Sequence, residues 1–294
     1  MTGALWAALA GIGFGFFQAF NRKARLGFSV YWATFILLAV SALIMAAASI
    51  VMEDLSLLQE AQWSSYLYLG LAGFIHFFLG WTLLTISQNK VGASRTGALV
   101  GATPLFATIV AILAFDEYLS LPVLAGVIIV VAGVYFVSVA GKSENKSVPK
   151  SWLDSLYGLG VALCFAISPI FIRAGQEELP SPLLAVTVGM SVSALAYGIL
   201  LLFRRDNLNL TSIPNSLLMY QLAAGVMVGV STWMRWIALD LAPVAVVLAL
   251  GRLNVPVVIL VSLILVGQKQ EQVTIRIWFG ASLVVIGSLI LIFF

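Results

Sequence analysis

Apolar residues run along this chain in blocks rather than in stripes. Ten blocks approach the 20 or so largely apolar residues that a helix needs to cross a bilayer. They fall at 4–20, 29–51, 66–87, 92–115, 121–140, 152–174, 182–203, 216–239, 244–266 and 274–294. The blocks are too long and too uniformly apolar for barrel strands, in which alternate residues turn to a polar lumen. The pattern predicts an all-α integral membrane protein with ten transmembrane helices. The first block has no basic segment before it and nine more follow, so it reads as a span and not as a cleaved signal.

The longest polar stretch, 141–151 (GKSENKSVPKS), reads as a flexible linker. It separates a first five-helix half, 1–140, from a second, 152–294. The halves resemble each other. A shift of 152 residues lays Gly73 on Gly225, Trp81 on Trp233 and Pro104 on Pro256. A shift of 151 lays Phe14 on Phe165, Phe20 on Phe171 and Arg22 on Arg173, and a shift of 154 lays Gly133 on Gly287. With five spans per half, the second half must enter the bilayer upside down. Inverted repeats of this kind are typical of transporters, whose site lies near the midplane between the halves.

Composition sharpens this picture. The chain is 62% hydrophobic and 9% charged, against roughly 45–50% and 25% in soluble domains. A soluble enzyme, a secreted disulfide scaffold, a nucleic-acid binder and a disordered chain are excluded. The single cysteine, Cys164, allows neither an intrachain disulfide nor a cysteine zinc cluster. The net charge of +3 matters less than its placement. Twelve Lys and Arg (22, 23, 25, 90, 95, 142, 146, 150, 204, 205, 269 and 276) lie at odd-numbered loops, one (Arg173) lies at an even loop, and Arg235 and Arg252 lie within spans. Basic loops stay in the cytoplasm, so the odd loops are expected inside and both termini outside a cytoplasmic (inner) membrane.

The two halves, the short linker and the stretch GATPLFATIVAILAFDEYLSLPVLAGVIIVVAGVYF (101–136) resemble the drug/metabolite transporter superfamily in its EamA-like branch. The stretch is similar to that family's fourth helix with its proline, an acidic turn (Asp116, Glu117) and a glycine-containing fifth helix. The second half repeats it from Asn254 and Pro256 to Gly280 and Gly287, with GQKQE (267–271) in place of the acidic turn. The resemblance implies a permease in which helices 1–4 and 6–9 surround a central cavity and helices 5 and 10 serve as scaffold.

Polar side chains within spans are the sharpest pointer to a site, because an Arg at the centre of a helix costs about 2.5–3.5 kcal/mol on insertion scales. Arg252 is the deepest charge, the ninth residue of its span. It shares a helical face with Ala245, Ala249 and Pro256, which matches Gly97, Val100 and Pro104. Each proline leaves one carbonyl without its usual donor. Arg252 is read as a contact for an anion or carboxylate, or as an Arg paired with carbonyls. His76, beside Gly73 and Gly80 on a narrow small-residue face, is either a packed histidine or a cavity residue that binds substrate or exchanges a proton. Gln18 extends a stripe of Gly11, Gly15 and Arg22. Trp81 and Trp233 are cavity walls or interfacial anchors. Arg235 is expected near the outer end of the eighth helix, with Asp240 placed to neutralise it. Thr103 and Asn254 lie beside the prolines.

These residues predict a secondary transporter that moves a small polar metabolite, an amino acid or another carboxylate-bearing compound, by alternating access; the resemblance points to export. Buried basic residues outnumber buried acids, which favours an anionic group over a cationic drug. A lipid flippase or a small-molecule channel on the same fold is the alternative. The coupling partner, a proton or a counter-substrate, stays open, as does the choice between monomer and homodimer. No metal, cofactor or ATP site is expected, since no GxxxxGK[ST] motif occurs. An intramembrane enzyme would need paired carboxylates or an activated nucleophile. The adjacent Glu53 and Asp54 would point apart on a helix.

Overall fold

The computed structural model describes residues 1–24, 27–91, 93–140, 152–204, 213–266 and 274–294. The linker at 141–151 and the turn at 267–271 lie outside them, as do Arg25, Arg205 and Lys269. The described residues form ten membrane-length helices and no strand: α1 Thr2–Ala24, α2 Val30–Met52, α3 Trp63–Val91, α4 Arg95–Phe115, α5 Leu121–Val139, α6 Ser155–Gln176, α7 Pro182–Phe203, α8 Asn215–Leu241, α9 Val244–Leu265 and α10 Ile275–Phe293. The chain is a multi-pass membrane protein. Several helices outrun their apolar blocks, α1 and α3 most of all. Their end turns carry polar residues that hydropathy leaves out and helical hydrogen bonds retain.

Local chemistry sets the helix ends. Ser29 and Ser181, 152 residues apart, cap α2 and α7 by accepting from the Trp32 and Leu184 N–H groups at 3.4 and 3.1 Å. Asp116 stops α4 in the left-handed region at φ 49°. Between α2 and α3, the Asp54 carboxylate accepts the Ser56 N–H at 2.9 Å, which holds its carboxyl below the usual range and starts the turn Leu57–Glu60. Asp54 therefore has a local structural task.

Packing follows a twofold rule. α1 lies against α8 and α9, and its counterpart α6 lies against α3 and α4. α2 packs on α8 as α7 packs on α3, while α2–α7, α4–α9 and α5–α10 pair across the axis with their own equivalents. Two five-helix repeats, inverted in the bilayer, thus interlock rather than sit side by side. α5 and α10 approach closely because glycines face each other. A Cβ on Gly133 would lie 2.6 Å from the Gly280 carbonyl oxygen, and one on Gly280 would lie 2.6 Å from that of Gly133. Gly126 and Gly287 repeat the contact. With little hydrophobic drive between helices in lipid, such small-residue contact is what holds them together.

Candidate functional site

α3 is not a regular α-helix. Residues Phe74–Leu79 form a π-turn, closed by the Gly80 N–H donating to the Ile75 carbonyl. Such turns widen a helix locally and occur often at functional sites. This one carries His76. The expected narrow face of Gly73, His76 and Gly80 is therefore split: Gly73 meets the backbone of Gly189 on α7, whereas Gly80 meets the ring of Phe165 on α6. His76 is buried, stacks on Phe165 with centroids 4.4 Å apart, and lies between two polar partners. Its Nδ1 is 2.9 Å from the Ser168 hydroxyl and its Nε2 is 3.1 Å from Nη1 of Arg235.

The direction of these bonds can be worked out. A guanidinium only donates, so Nε2 accepts from Arg235 and the imidazole proton sits on Nδ1, facing Ser168. The Ser168 hydroxyl in turn donates to the Phe165 carbonyl at 3.3 Å. That carbonyl is free because Pro169, four residues on and inside α6, has no N–H to give it. A relay runs from Arg235 through a neutral His76 and Ser168 to a backbone oxygen. Arg235 was expected to pair with Asp240. Asp240 is instead exposed at the end of α8, while Arg235 is 7% exposed and turned inward over the Phe14 ring at 5.4 Å. Its Nε and Nη2 are buried with no hydrogen-bond acceptor.

Arg252 uses the other helix break. α9 narrows to a 3-10 turn at Gly251–Leu253, and α4 is interrupted at Ala102, the repeat-related place. Pro104 frees the carbonyl of Val100. That oxygen accepts from Arg252 Nη2 at 3.0 Å and from the Thr103 hydroxyl at 2.7 Å. Arg252 Nε and Asn254 Oδ1 are buried without a partner. Arg235 lies over Phe14 of α1, and Gly11 and Gly15 of the same helix press on the backbone of Leu250 and Asn254 on either side of Arg252, so the Arg235–His76 pair and Arg252 flank one stretch of α1 as a basic cluster. Among the described residues no Asp or Glu is buried.

Aromatic rings wall this cluster. Trp81 stacks on Phe17 with centroids 5.8 Å apart and meets Phe77 edge-on at 5.3 Å. Its ring is half-buried between α1 and the π-turn of α3. Trp233 is half-buried against the core of the bundle. Gln18 is half-buried on α1, below Gly11 and Gly15, which press on Leu250, Asn254 and Val257 of α9. Pro256 stands one turn beyond Arg252. Toward the even-loop side the bundle is locked. Arg173 at the end of α6 donates to Glu117 at 2.6 Å and to the Leu239 and Ala242 carbonyls at 2.8 Å each. Its guanidinium also covers the Phe115 ring at 4.5 Å. The Glu117 carboxylate accepts the Val244 N–H at 3.0–3.1 Å, capping α9.

The profile of the EamA-like transporter family matches residues 1–139 and again 153–293. The chain belongs to this family. One solved structure, titled only "Crystal structure of protein", aligns over 98% of this chain and 95% of its own, with TM-score 0.75 and 17% identity, a likeness of fold alone. A search of curated proteins finds no match. In this EamA-like transporter the structure places Arg252, Thr103 and Asn254 at the breaks near Pro104 and Pro256, and joins His76 to Arg235 beside the break made by Pro169. Trp81 lies beside Phe17 and Phe77. Gln18 and Trp233 are half-buried, and no hydrogen bond links either of them to the cluster. Ser168, Pro169, Phe165 and the Glu117–Arg173 lock escaped the sequence reading. A proline within an apolar span was the available signal for the first three, as it had been for Pro104 and Pro256.

Proposed function

We propose that this EamA-like transporter is a secondary transporter that carries a small anionic metabolite, such as an amino acid or another carboxylate, by alternating access around the Arg235–His76–Arg252 cluster. One observation carries the reading. Two guanidiniums lie in the membrane interior with three N–H-bearing nitrogens unpaired (Arg235 Nε and Nη2, Arg252 Nε), and no described carboxylate is buried with them. Each unmade bond to a charged group costs roughly 1.5–3 kcal/mol, and a carboxylate satisfies two guanidinium donors at once. A cation would meet only repulsion there.

The basic bias of the loops supports a cytoplasmic-membrane location with odd loops inside. On that orientation Glu117–Arg173 seals the outer side, and export requires it to open. His76 links the site to protons. Taking a second proton would turn Nε2 into a donor, which Arg235 cannot accept, so protonation and the Arg235 contact exclude each other. A protonated His76 releases Nη1 of Arg235 and sets a second positive charge beside it, so the binding of a proton and the binding of an anionic substrate are coupled at this guanidinium.

The test is counterflow in proteoliposomes, with radiolabelled amino acids, dicarboxylates and a cationic dye in separate arms. Carboxylates should exchange and the dye should not. Arg252→Gln should abolish exchange and Arg252→Lys should weaken it about tenfold, as the two-point grip is lost. Full carboxylate exchange by Arg252→Gln, or dye transport by the parent, would overturn the anionic reading.

A further inference from the structure

A groove of about 540 Å³ runs down the outside of the bundle between α2 and α7. Its walls are almost wholly apolar: Phe35, Ala39 and Leu43 on α2, and Ala194, Gly198 and Leu202 on α7. Leu43 and Leu202 are 70% and 83% exposed. In a membrane-spanning bundle that exposed apolar face meets lipid. The groove runs from Phe35 to Leu43 on α2, about 12 Å of helix, and from Ser191 to Leu202 on α7, about 16 Å. One leaflet of the hydrocarbon core is about 15 Å deep, so the groove serves a single leaflet, the one on the odd-loop side.

The reason it stops there is chemical. At the even end Ser49 and Thr187 share a hydrogen bond at 3.2 Å and tie α2 to α7. The repeat-equivalent positions at the odd end are Leu201 and Phe35, which cannot make that bond. At the mouth of the groove stands a charge. Arg204, the residue that ends α7, lies over the Tyr31 ring at 3.7 Å. Tyr31 is one turn from Phe35 on the same face of α2. Trp32 packs edge-on against Phe35 at 5.7 Å, a pair of aromatics at the depth where headgroups begin.

We infer that this seam is a binding site for an anionic phospholipid of the odd-side leaflet, with one acyl chain in the α2–α7 groove and the phosphate at Arg204. Length, wall chemistry and charge agree on that occupant. A second protein helix is too wide for a groove floored by Ala39, Ala194 and Gly198 with Phe35 across it. A free anion gains nothing from apolar walls. The site is separate from the central cluster, and the lipid is not transported from it.

Native mass spectrometry of the full-length protein, titrated with phosphatidylglycerol, phosphatidylcholine or inorganic phosphate, tests the assignment. The parent should retain phosphatidylglycerol over phosphatidylcholine by about fivefold, the worth of one basic side chain near a membrane surface. Arg204→Gln, at an exposed position, should erase that preference. Gly198→Leu should weaken both lipids alike. A Cβ there would meet Phe35 at 3.4 Å, ordinary contact, so the larger side chain fills the groove without breaking the fold. Inorganic phosphate should displace neither lipid. Equal retention of the two lipids by the parent, an unchanged preference in Arg204→Gln, undiminished lipid binding by Gly198→Leu, or displacement by phosphate would each overturn the site.

Discussion

Replacing Glu117 by glutamine takes one charge from the lock on the even side and leaves its shape. The side-chain carbonyl can still accept the Val244 N–H, so the cap on α9 survives. The ion pair with Arg173 does not. The two side chains are 12% and 22% exposed, buried enough to escape most screening. A hydrogen bond between charged groups contributes about 1.5–3 kcal/mol. Arg173 keeps its two carbonyl acceptors, Leu239 and Ala242, so a loss near 2 kcal/mol is the reasonable figure. That corresponds to a shift of about thirtyfold between closed and open even sides. Spin labels at Tyr118 and Asp240, one from each half and both exposed on the even side, report the change once the buried Cys164 is replaced by alanine. The Glu117→Gln protein should gain a longer-distance population that the parent lacks, and Glu117→Asp should fall between them. Identical distance distributions in parent and Glu117→Gln would refute the idea that this pair holds the side shut.

Three further outcomes are expected. His76→Gln can accept from Arg235 and donate to Ser168 but cannot take a proton. Accumulation driven by a pH gradient should vanish while counterflow persists, and full gradient-driven transport in this variant would remove His76 from coupling. Gly133→Leu forces a side chain into the Gly280 backbone of α10. Overpacking of this kind costs about 1–3 kcal/mol, so thermal unfolding in detergent should begin several degrees lower with substrate affinity unchanged. A reporter fused after Phe294 should be active as a periplasmic phosphatase and dark as a cytoplasmic fluorescent protein; a bright fusion would invert the orientation.

The helices were legible because a bilayer imposes one length and one polarity on every span. The repeat was legible because equivalent positions such as Gly73 and Gly225 keep the same packing task. Charges in spans stood out for the same reason, and Arg235, Arg252 and His76 do cluster. Their partners were not legible. Arg235 bonds a residue 159 positions away, while Asp240, five residues on, looked like the nearer solution. Helical direction decides the matter: five residues are nearly one and a half turns, which sets the two on different faces. The π-turn under His76 leaves no mark in composition. Glu117 and Arg173 were each noted, one as part of an acidic turn and the other as the lone basic residue of the even loops. Only the folded packing of α4, α6 and the α8–α9 loop brings them into contact.

The bond from Arg252 to Val100 joins residues 152 positions apart, the repeat offset itself. Equivalent positions touch only where the symmetry axis passes between them. In a homodimer of identical five-helix subunits, arginine at this position would be present twice, and two guanidiniums would crowd one axis with no carboxylate near. A continuous chain escapes that constraint. One half keeps the charge, and the other offers a small apolar side chain and a carbonyl freed by its proline. A lone positive charge on the axis is therefore closed to any assembly of two identical halves, and the centre of this protein requires two halves that differ at this position.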